Sequence, residues 1–306
     1  MGEREILAAK RATLELRARV LQNARLFFLE QGFLEVQTPV LASELAPEPH
    51  IEPIPAGENG LLITSPELHM KRLLAAGYQQ IFQISPVFRK GEQGRLHHPE
   101  FTLLEWYRTG VDYRALQHDC RELLAAICKA VGRWPGWFYQ KRRLEVAGDW
   151  QGLTVRSAFR TFAGWDPGIE GDEDRFDTDL VEKVEPHLGF PRPCILKEYP
   201  ANQAALARLK PNDPSVAERF ELYWAGIELA NGFTELTDAR EQRLRFEAAH
   251  EQRRRSGCPP HPFPETFLDS MRHLPSCAGI AFGIDRLVML LADAASLDQV
   301  VAFPPG

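Results

Sequence analysis

Cysteine is scarce in this chain, with five in 306 residues, at positions 120, 128, 194, 258 and 277. No pair has the spacing of a zinc knuckle or a redox CxxC, so neither centre is expected, and an odd count in a long chain fits reduced thiols in a cytosol. Long apolar runs are missing: no stretch approaches the ~18 residues that a membrane-crossing helix needs. The charged start, Met1-Gly2-Glu3-Arg4-Glu5, lacks the apolar core of a signal peptide. A cytoplasmic chain without a membrane span is therefore expected. A basic excess is missing as well, since 36 Lys and Arg stand against 42 Asp and Glu for a net charge of −6. Electrostatics gives no support for a large nucleic-acid footprint, although a partner can still dock on a local patch. There is no Gly-rich strand-to-helix turn of the Rossmann or P-loop kind, so a nucleotide would be held by another route. No internal repeat is present.

What is there suits an ordinary globular core, with 44% hydrophobic and 25% charged residues. Val20, Leu21, Ala24, Phe27 and Phe28 fall at helical spacing, which predicts one long helix from about 4 to 31, stopped by Gly32. Further helices are expected at about 66–76, 112–132, 238–255, 265–273 and 285–292. Strands are expected at 33–36, 61–64, 81–85, 87–89, 100–107, 194–199, 218–225, 278–282 and, at an edge, 300–303. Residues 112–190 read as a helical insertion, its part from 133 poorly patterned and acid-rich at 170–179. Hairpin-spaced strands among flanking helices argue for an α+β fold with a mixed, mainly antiparallel sheet.

Three segments and two shorter runs carry candidate chemistry. Arg89-Lys90-Gly91-Glu92 through His97-His98-Pro99-Glu100-Phe101 is a strand, a basic loop and a return strand. Arg89, Arg95, His97 and His98 could converge on a triphosphate, and Phe101 offers a flat face to a purine; the alternative is an exposed basic hairpin loop. In Gly283-Ile284-Asp285-Arg286-Leu287, Arg286 opens a helix where the dipole is already positive, so a bound anion, a stacked base or a paired carboxylate must account for it. Glu228-Leu229-Ala230-Asn231-Gly232-Phe233-Thr234-Glu235 places two carboxylates seven apart across a strand break, suited to Mg²⁺ beside phosphates or to a substrate ammonium, with surface acid pairing as the alternative. Ser65-Pro66-Glu67 and Glu105-Trp106-Tyr107 add carboxylates, a hydroxyl and a phenol. An inward acid such as Glu105 in an apolar strand is costly unless a cation or donors meet it.

Together these segments resemble class II aminoacyl-tRNA synthetases, most closely the lysyl-tRNA synthetases. Arg89 to Phe101 is similar to their second motif and Gly283 to Leu287 to their third. The first helix with Gly32-Phe33 and Gln37-Thr38-Pro39 is similar to the dimer-forming first motif. Because the first motif begins within the first turns, no anticodon-binding barrel is expected within residues 1–306, which read as a single catalytic domain. Thr64-Ser65-Pro66-Glu67-Leu68-His69-Met70-Lys71-Arg72 and Glu105-Trp106-Tyr107-Arg108 resemble the elongation factor P lysine ligase family. The resemblance implies ATP and Mg²⁺ as cofactors, lysine or (R)-β-lysine as substrate, an adenylate intermediate, elongation factor P rather than tRNA as acceptor, and a homodimer. It implies that Arg89 meets the α-phosphate and that Phe101 and Arg286 sandwich adenine. Lys90, Gly91, Glu92, His97, His98, Leu229 and Gly283 complete the ATP site. Glu228 and Glu235 lie near Mg²⁺ and the substrate amines, while Ser65, Pro66, Glu67, Glu105, Tyr107, Asn231 and Phe233 line the lysine pocket. The sequence departs from lysyl-tRNA synthetases at Gly91, where a Glu is usual and Glu92 follows one place late. It departs again at His98, where Asn is more usual, and at Ala281, where Gly is usual. The Ala281 methyl would reshape the pocket floor toward a β-amino substrate.

Overall fold

The computed structural model describes residues 2–58, 60–170, 173–258 and 261–305. The long first helix divides at Lys10 into α1 (Glu3–Ala9) and α2 (Arg11–Glu30). The Lys10 ammonium donates to the Val301 carbonyl at 2.9 Å, tethering the junction to the far end of the chain. Val20, Ala24 and Phe28 recur every fourth residue and form the buried stripe of α2. The Phe28 ring lies 5.0 Å from both Phe82 and Trp106.

After the short strand β1 (Leu34–Glu35) come α3 (Glu67–Ala75), β2 (Gln80–Phe88), β3 (Glu100–Thr109) and α4 (Tyr113–Ala130). The chain continues through β4 (Gln151–Thr154), β5 (Cys194–Lys197), β6 (Arg219–Trp224), β7 (Ile227–Thr234), α5 (Ala239–Arg255), α6 (Glu265–Ser270), β8 (Cys277–Gly283) and α7 (Ile284–Leu291). The eight strands form one sheet in the order β1-β2-β3-β8-β7-β6-β5-β4. The outermost pairs, β1 with β2 and β4 with β5, are parallel, and the five ladders between them are antiparallel. The α+β expectation therefore holds. Helices α2, α4 and α7 cover one face with the main apolar core.

Several expected boundaries change. The strands expected at 81–85 and 87–89 are one strand, because Pro86 keeps its place in the ladder opposite Thr102. The expected strand break between Glu228 and Glu235 is the continuous strand β7. The insertion is not purely helical: Gly136–Tyr139 pairs with Arg142–Glu145 as a hairpin, and β4 extends the main sheet. Its acid-rich part falls partly outside the described residues. Val300–Phe303 is no strand, since a 3-10 turn at Leu297–Gln299 runs into bends there.

One buried contact fastens three elements. Asp285, in the first turn of α7, accepts from the Arg17 guanidinium of α2 and from the Thr102 backbone N–H of β3 at 2.8 Å. Arg17 also donates to the Thr102 hydroxyl at 2.8 Å. Removing one partner of such a pair leaves an uncompensated charge. We expect Asp285→Ala to lower the unfolding free energy by about 3 kcal/mol or more, and urea denaturation measures it.

Candidate active site

The other face of the sheet floors a cavity of about 750 Å³. Strand register sets out the floor in rows. Glu105, Ala281, Asn231 and Glu221 sit side by side on β3, β8, β7 and β6, and Tyr107, Gly279, Phe233 and Arg219 form the next row. These two rows line the cavity. Phe101, Leu103, Glu105 and Tyr107 all line it, as period-two alternation along the expected strand at 100–107 requires. Gly279 is needed for steric reasons. A Cβ there would come within 2.1 Å of the Tyr107 ring and 2.6 Å of Glu235 Oε1.

Simple alternation would send Glu228 to the face opposite Asn231 and Phe233. The pairing of Leu222 with Ala230, then of Tyr223 with Glu228, leaves Leu229 as an extra residue in β7. Such a bulge re-aims the side chains beyond it, and Glu228 lines the cavity together with Asn231 and Phe233. Leu229 itself is buried in the core.

At one end of the cavity the acids gather. Glu105 accepts from the Ser65 hydroxyl at 2.7 Å and from the Tyr107 hydroxyl at 2.9 Å. Ser65 in turn accepts from the Glu67 N–H at 3.0 Å, which shapes the start of α3 behind the buried Pro66. Burial pushes the Glu105 carboxyl up to about 8, Glu67 adds to the rise, and the bonds from Ser65 and Tyr107 oppose it. Burial also raises Glu235, against the pull of Lys71, whose ammonium lies 2.5 Å away. Lys71 itself is lowered by burial but carried above its usual value by Glu235 and Glu67. The ion pair is the form that so short a contact favours.

At the other end the cations gather. The Arg89 guanidinium lies 5.1 Å from the Phe101 ring centroid and 3.5 Å from Glu92, and its Nε donates to the Thr64 carbonyl at 3.4 Å. Glu92 thus reaches Arg89 although it stands one place late. Gly91 turns the loop at φ +80°, a conformation suited to glycine. Lys90 is exposed and is held by its backbone N–H on the Glu52 carbonyl. Arg286 donates to the Glu228 carbonyl at 2.9 Å and carboxylate at 3.2 Å, and the His97 ring nitrogen is 2.8 Å from it. The carboxylate alternative for Arg286 is therefore seen in part. Gly283, at the N-terminus of α7, keeps the floor beside Arg286 open. His98 stands apart from His97, almost fully buried, with Nε2 2.9 Å from Asp298.

Glu228 and Glu235 do not share a metal. About 20 Å of strand lies between them, and Glu235 is held by Lys71. The acids near Glu228 are Glu221 and Glu185, which sequence reasoning missed. Burial raises Glu185 to about 7, followed by the like charges of Glu228 and Glu221, and burial and Glu228 raise Glu221. The Tyr223 hydroxyl lies 2.6 Å from Glu221 and 3.1 Å from Glu185. One hydroxyl proton cannot serve both, so a protonated Glu185 fits the second contact. Mutual repulsion of this kind suits a divalent cation, and Mg²⁺ takes only one or two protein carboxylates, the rest being water and phosphate oxygens. Among the described residues no group of three or more His, Cys, Asp or Glu side chains is placed to hold a metal ion. The signal for Glu221 was present in sequence: Arg219, Glu221 and Tyr223 alternate in a predicted strand, as Glu105 and Tyr107 do. Lys71 was also missed.

The comparisons with known proteins agree with this geometry. Residues 7–305 match the family model of tRNA synthetases class II (D, K and N). Among curated relatives, an elongation factor P–(R)-beta-lysine ligase of Proteus mirabilis is 39% identical, covering 97% of this chain and 96% of the relative. A protein of the same name from Yersinia enterocolitica is 41% identical over 96% of this chain and 95% of its own. One from Klebsiella pneumoniae is 42% identical over 94% and 93%.

A carboxyl with its pKa near 8 is mostly protonated at pH 7 and must ionise to receive an ammonium. An ammonium ligand that pairs with Glu105 at pH 7 should therefore release up to one proton, measured by calorimetry in buffers of different ionisation heat. Glu105→Gln should bind at least about tenfold more weakly, the cost of one charged hydrogen bond, and should lose that proton release.

Proposed function

Because this chain belongs to the class II tRNA synthetases (D, K and N), we propose that it activates (R)-β-lysine, or lysine, with ATP and transfers the aminoacyl group to a lysine side chain of elongation factor P. The observation that carries the reading is the polarity of one cavity. Glu67 and Glu105 line the part suited to substrate amines, with Glu235 buried beside Gly279, while Arg286 with His97 lines the part suited to phosphates and Arg89 lies between the two. The names of the relatives supply the acceptor.

In the first step the substrate carboxylate attacks the α-phosphate in line, an O–P bond forms and pyrophosphate departs. Arg89 steadies the charge that builds on the α-phosphate, while Phe101 and Arg286 hold the adenine between them. Catalysis is by position and electrostatics, without a covalent enzyme intermediate. Glu228 with Glu221 would hold Mg²⁺, which supplies charge neutralisation on the phosphates. In the second step an acceptor amine attacks the mixed-anhydride carbonyl, loses a proton, and AMP departs. The Ala281 methyl, between Glu105 and Asn231 on the floor, favours the β-amino isomer.

The proposal extends to a homodimer and to the cytoplasm. Leu26, Leu29, Leu34 and Leu41 are exposed along α2 and the segment after it, which supports a partner subunit there. The five cysteines are free, as in a reducing compartment, and among the described residues no helix is long and apolar enough to cross a membrane.

Labelled pyrophosphate should exchange into ATP in the presence of (R)-β-lysine or lysine, and label from the amino acid should pass to elongation factor P and not to total tRNA. No exchange with either isomer in folded protein would sink the activation step. Transfer to tRNA instead would favour a free-standing tRNA-charging enzyme. Arg89→Ala should slow exchange by about 100- to 1,000-fold, the loss typical of one transition-state donor.

A further inference from the structure

Lys71 is a buried cation that the activation chemistry leaves unused. It is 1% exposed, and its Nζ lies 2.5 Å from both Glu67 Oε1 and Glu235 Oε2. The Phe233 ring faces it, with the centroid 5.3 Å from Nζ. Packing does not explain an ammonium here. A methionine would fill similar space, and desolvating a charge costs several kcal/mol. The charge itself must matter. Glu235 Oε1 is buried beside Gly279 and has no hydrogen-bond partner among the described residues.

Three carboxylates converge at this end, and Lys71 neutralises one of them. Once Glu105 ionises to receive an ammonium, two negative charges face the two ammonium groups of a lysine isomer. We propose that Lys71 is a positioning residue for the diamino acid: its ammonium clamps Glu67 and Glu235 as carboxylates and aims their free oxygens at the substrate amines. The inference rests on the activation reading above. The groups around the clamp are Glu105 and Tyr107 on β3, Cys277 on β8, and, beyond Glu67, Glu48 and Arg89. All but Arg89 are acids, so Lys71 is the cation in direct contact with both carboxylates.

Without Lys71, Glu235 is a fully buried carboxylate that has lost its cation and stands beside the like charge of Glu67, so burial favours its protonated form. That proton then occupies the oxygens meant for an amine, and the substrate must displace it. Raising the pH removes the proton, so affinity should recover as pH rises.

The test compares the wild-type chain with Lys71→Met and Lys71→Ala, using calorimetry with lysine and (R)-β-lysine from pH 6.5 to 9 and pyrophosphate exchange. Lys71→Met should raise Kd and KM by about tenfold or more at pH 7, with kcat within about threefold. It should release close to one proton more on binding than the wild type, and the deficit should shrink with rising pH. Lys71→Ala should lose affinity likewise and regain several-fold on adding ethylammonium chloride, but not on adding equal sodium chloride. Wild-type affinity and proton release in Lys71→Met would overturn the proposal, as would equal, pH-independent losses in kcat and kcat/KM. If Lys71→Met does not fold, the ethylammonium response of Lys71→Ala decides, and no recovery overturns it. If the wild type binds a diamino acid but exchanges no pyrophosphate, the activation reading fails while the proton count still judges Lys71.

Discussion

A carboxylate on the inner face of a sheet is tolerated only where a cation or donors meet it. This sheet carries Glu105 and Glu221 on such positions, with Glu235 just past the end of β7. Much of the neighbouring structure answers that constraint. Ser65 and Tyr107 serve Glu105, Lys71 serves Glu235, and Arg219 at 2.7 Å with Tyr223 at 2.6 Å serves Glu221. The donors come from α3, β3 and β6 themselves, so the acids fix how α3 lies across the sheet. A sheet of the same topology with apolar residues at these places would have no reason to keep the cavity polar.

The backbone supplies the second half of the arrangement. Neighbouring antiparallel strands set residues side by side, so a single row holds Glu105, Ala281, Asn231 and Glu221. Small residues in β8, at Gly279, Ala281 and Gly283, keep the middle of the floor low while longer side chains rise on either side. Leu229 adds one residue to β7, and that one residue turns Glu228 toward the phosphate end. The bulge brings the Glu228 carboxylate into the same cavity as Asn231 and Phe233.

Much of this was legible in the sequence where a short-range pattern fixes geometry. Alternation in Glu100 to Tyr107 identified the inward face and its acid. The run from Gly283 to Arg286 marked a helix start with an arginine that needed a partner. Glu221 was equally legible, by its alternation with Arg219 and Tyr223 in the expected strand at 218–225. Lys71 was not legible, since helix periodicity in α3 gives no hint that one lysine turns into a carboxylate pair rather than to water. Nor was the bulge, because one extra residue leaves the apolar pattern of β7 unchanged while reversing which face Glu228 shares. The missing strand at Val300–Phe303 shows tertiary contact overriding propensity, for the Val301 and Ala302 carbonyls accept from Lys10 rather than from a neighbouring strand.

The polarity of the cavity also constrains how any ligand lies in it. From Phe101, beside Arg89, to Glu105 is about 13 Å along β3. Charges of opposite sign at the two ends of a partly desolvated cavity act on a ligand dipole more strongly than they would in water. A molecule with amines at one end and a carboxylate at the other, as the proposed reaction requires, aligns with its carboxylate toward Arg89. A ligand lying the other way would put ammonium groups against Arg89 and Arg286 and a carboxylate against Glu105, and both ends would be repelled. Orientation is thereby selected before chemistry begins, by like-charge exclusion as much as by attraction. The same field disfavours a substrate with a second carboxylate in place of an amine. On the proposed reading, selection for diamines over diacids rests on these floor carboxylates, whatever covers the mouth of the cavity.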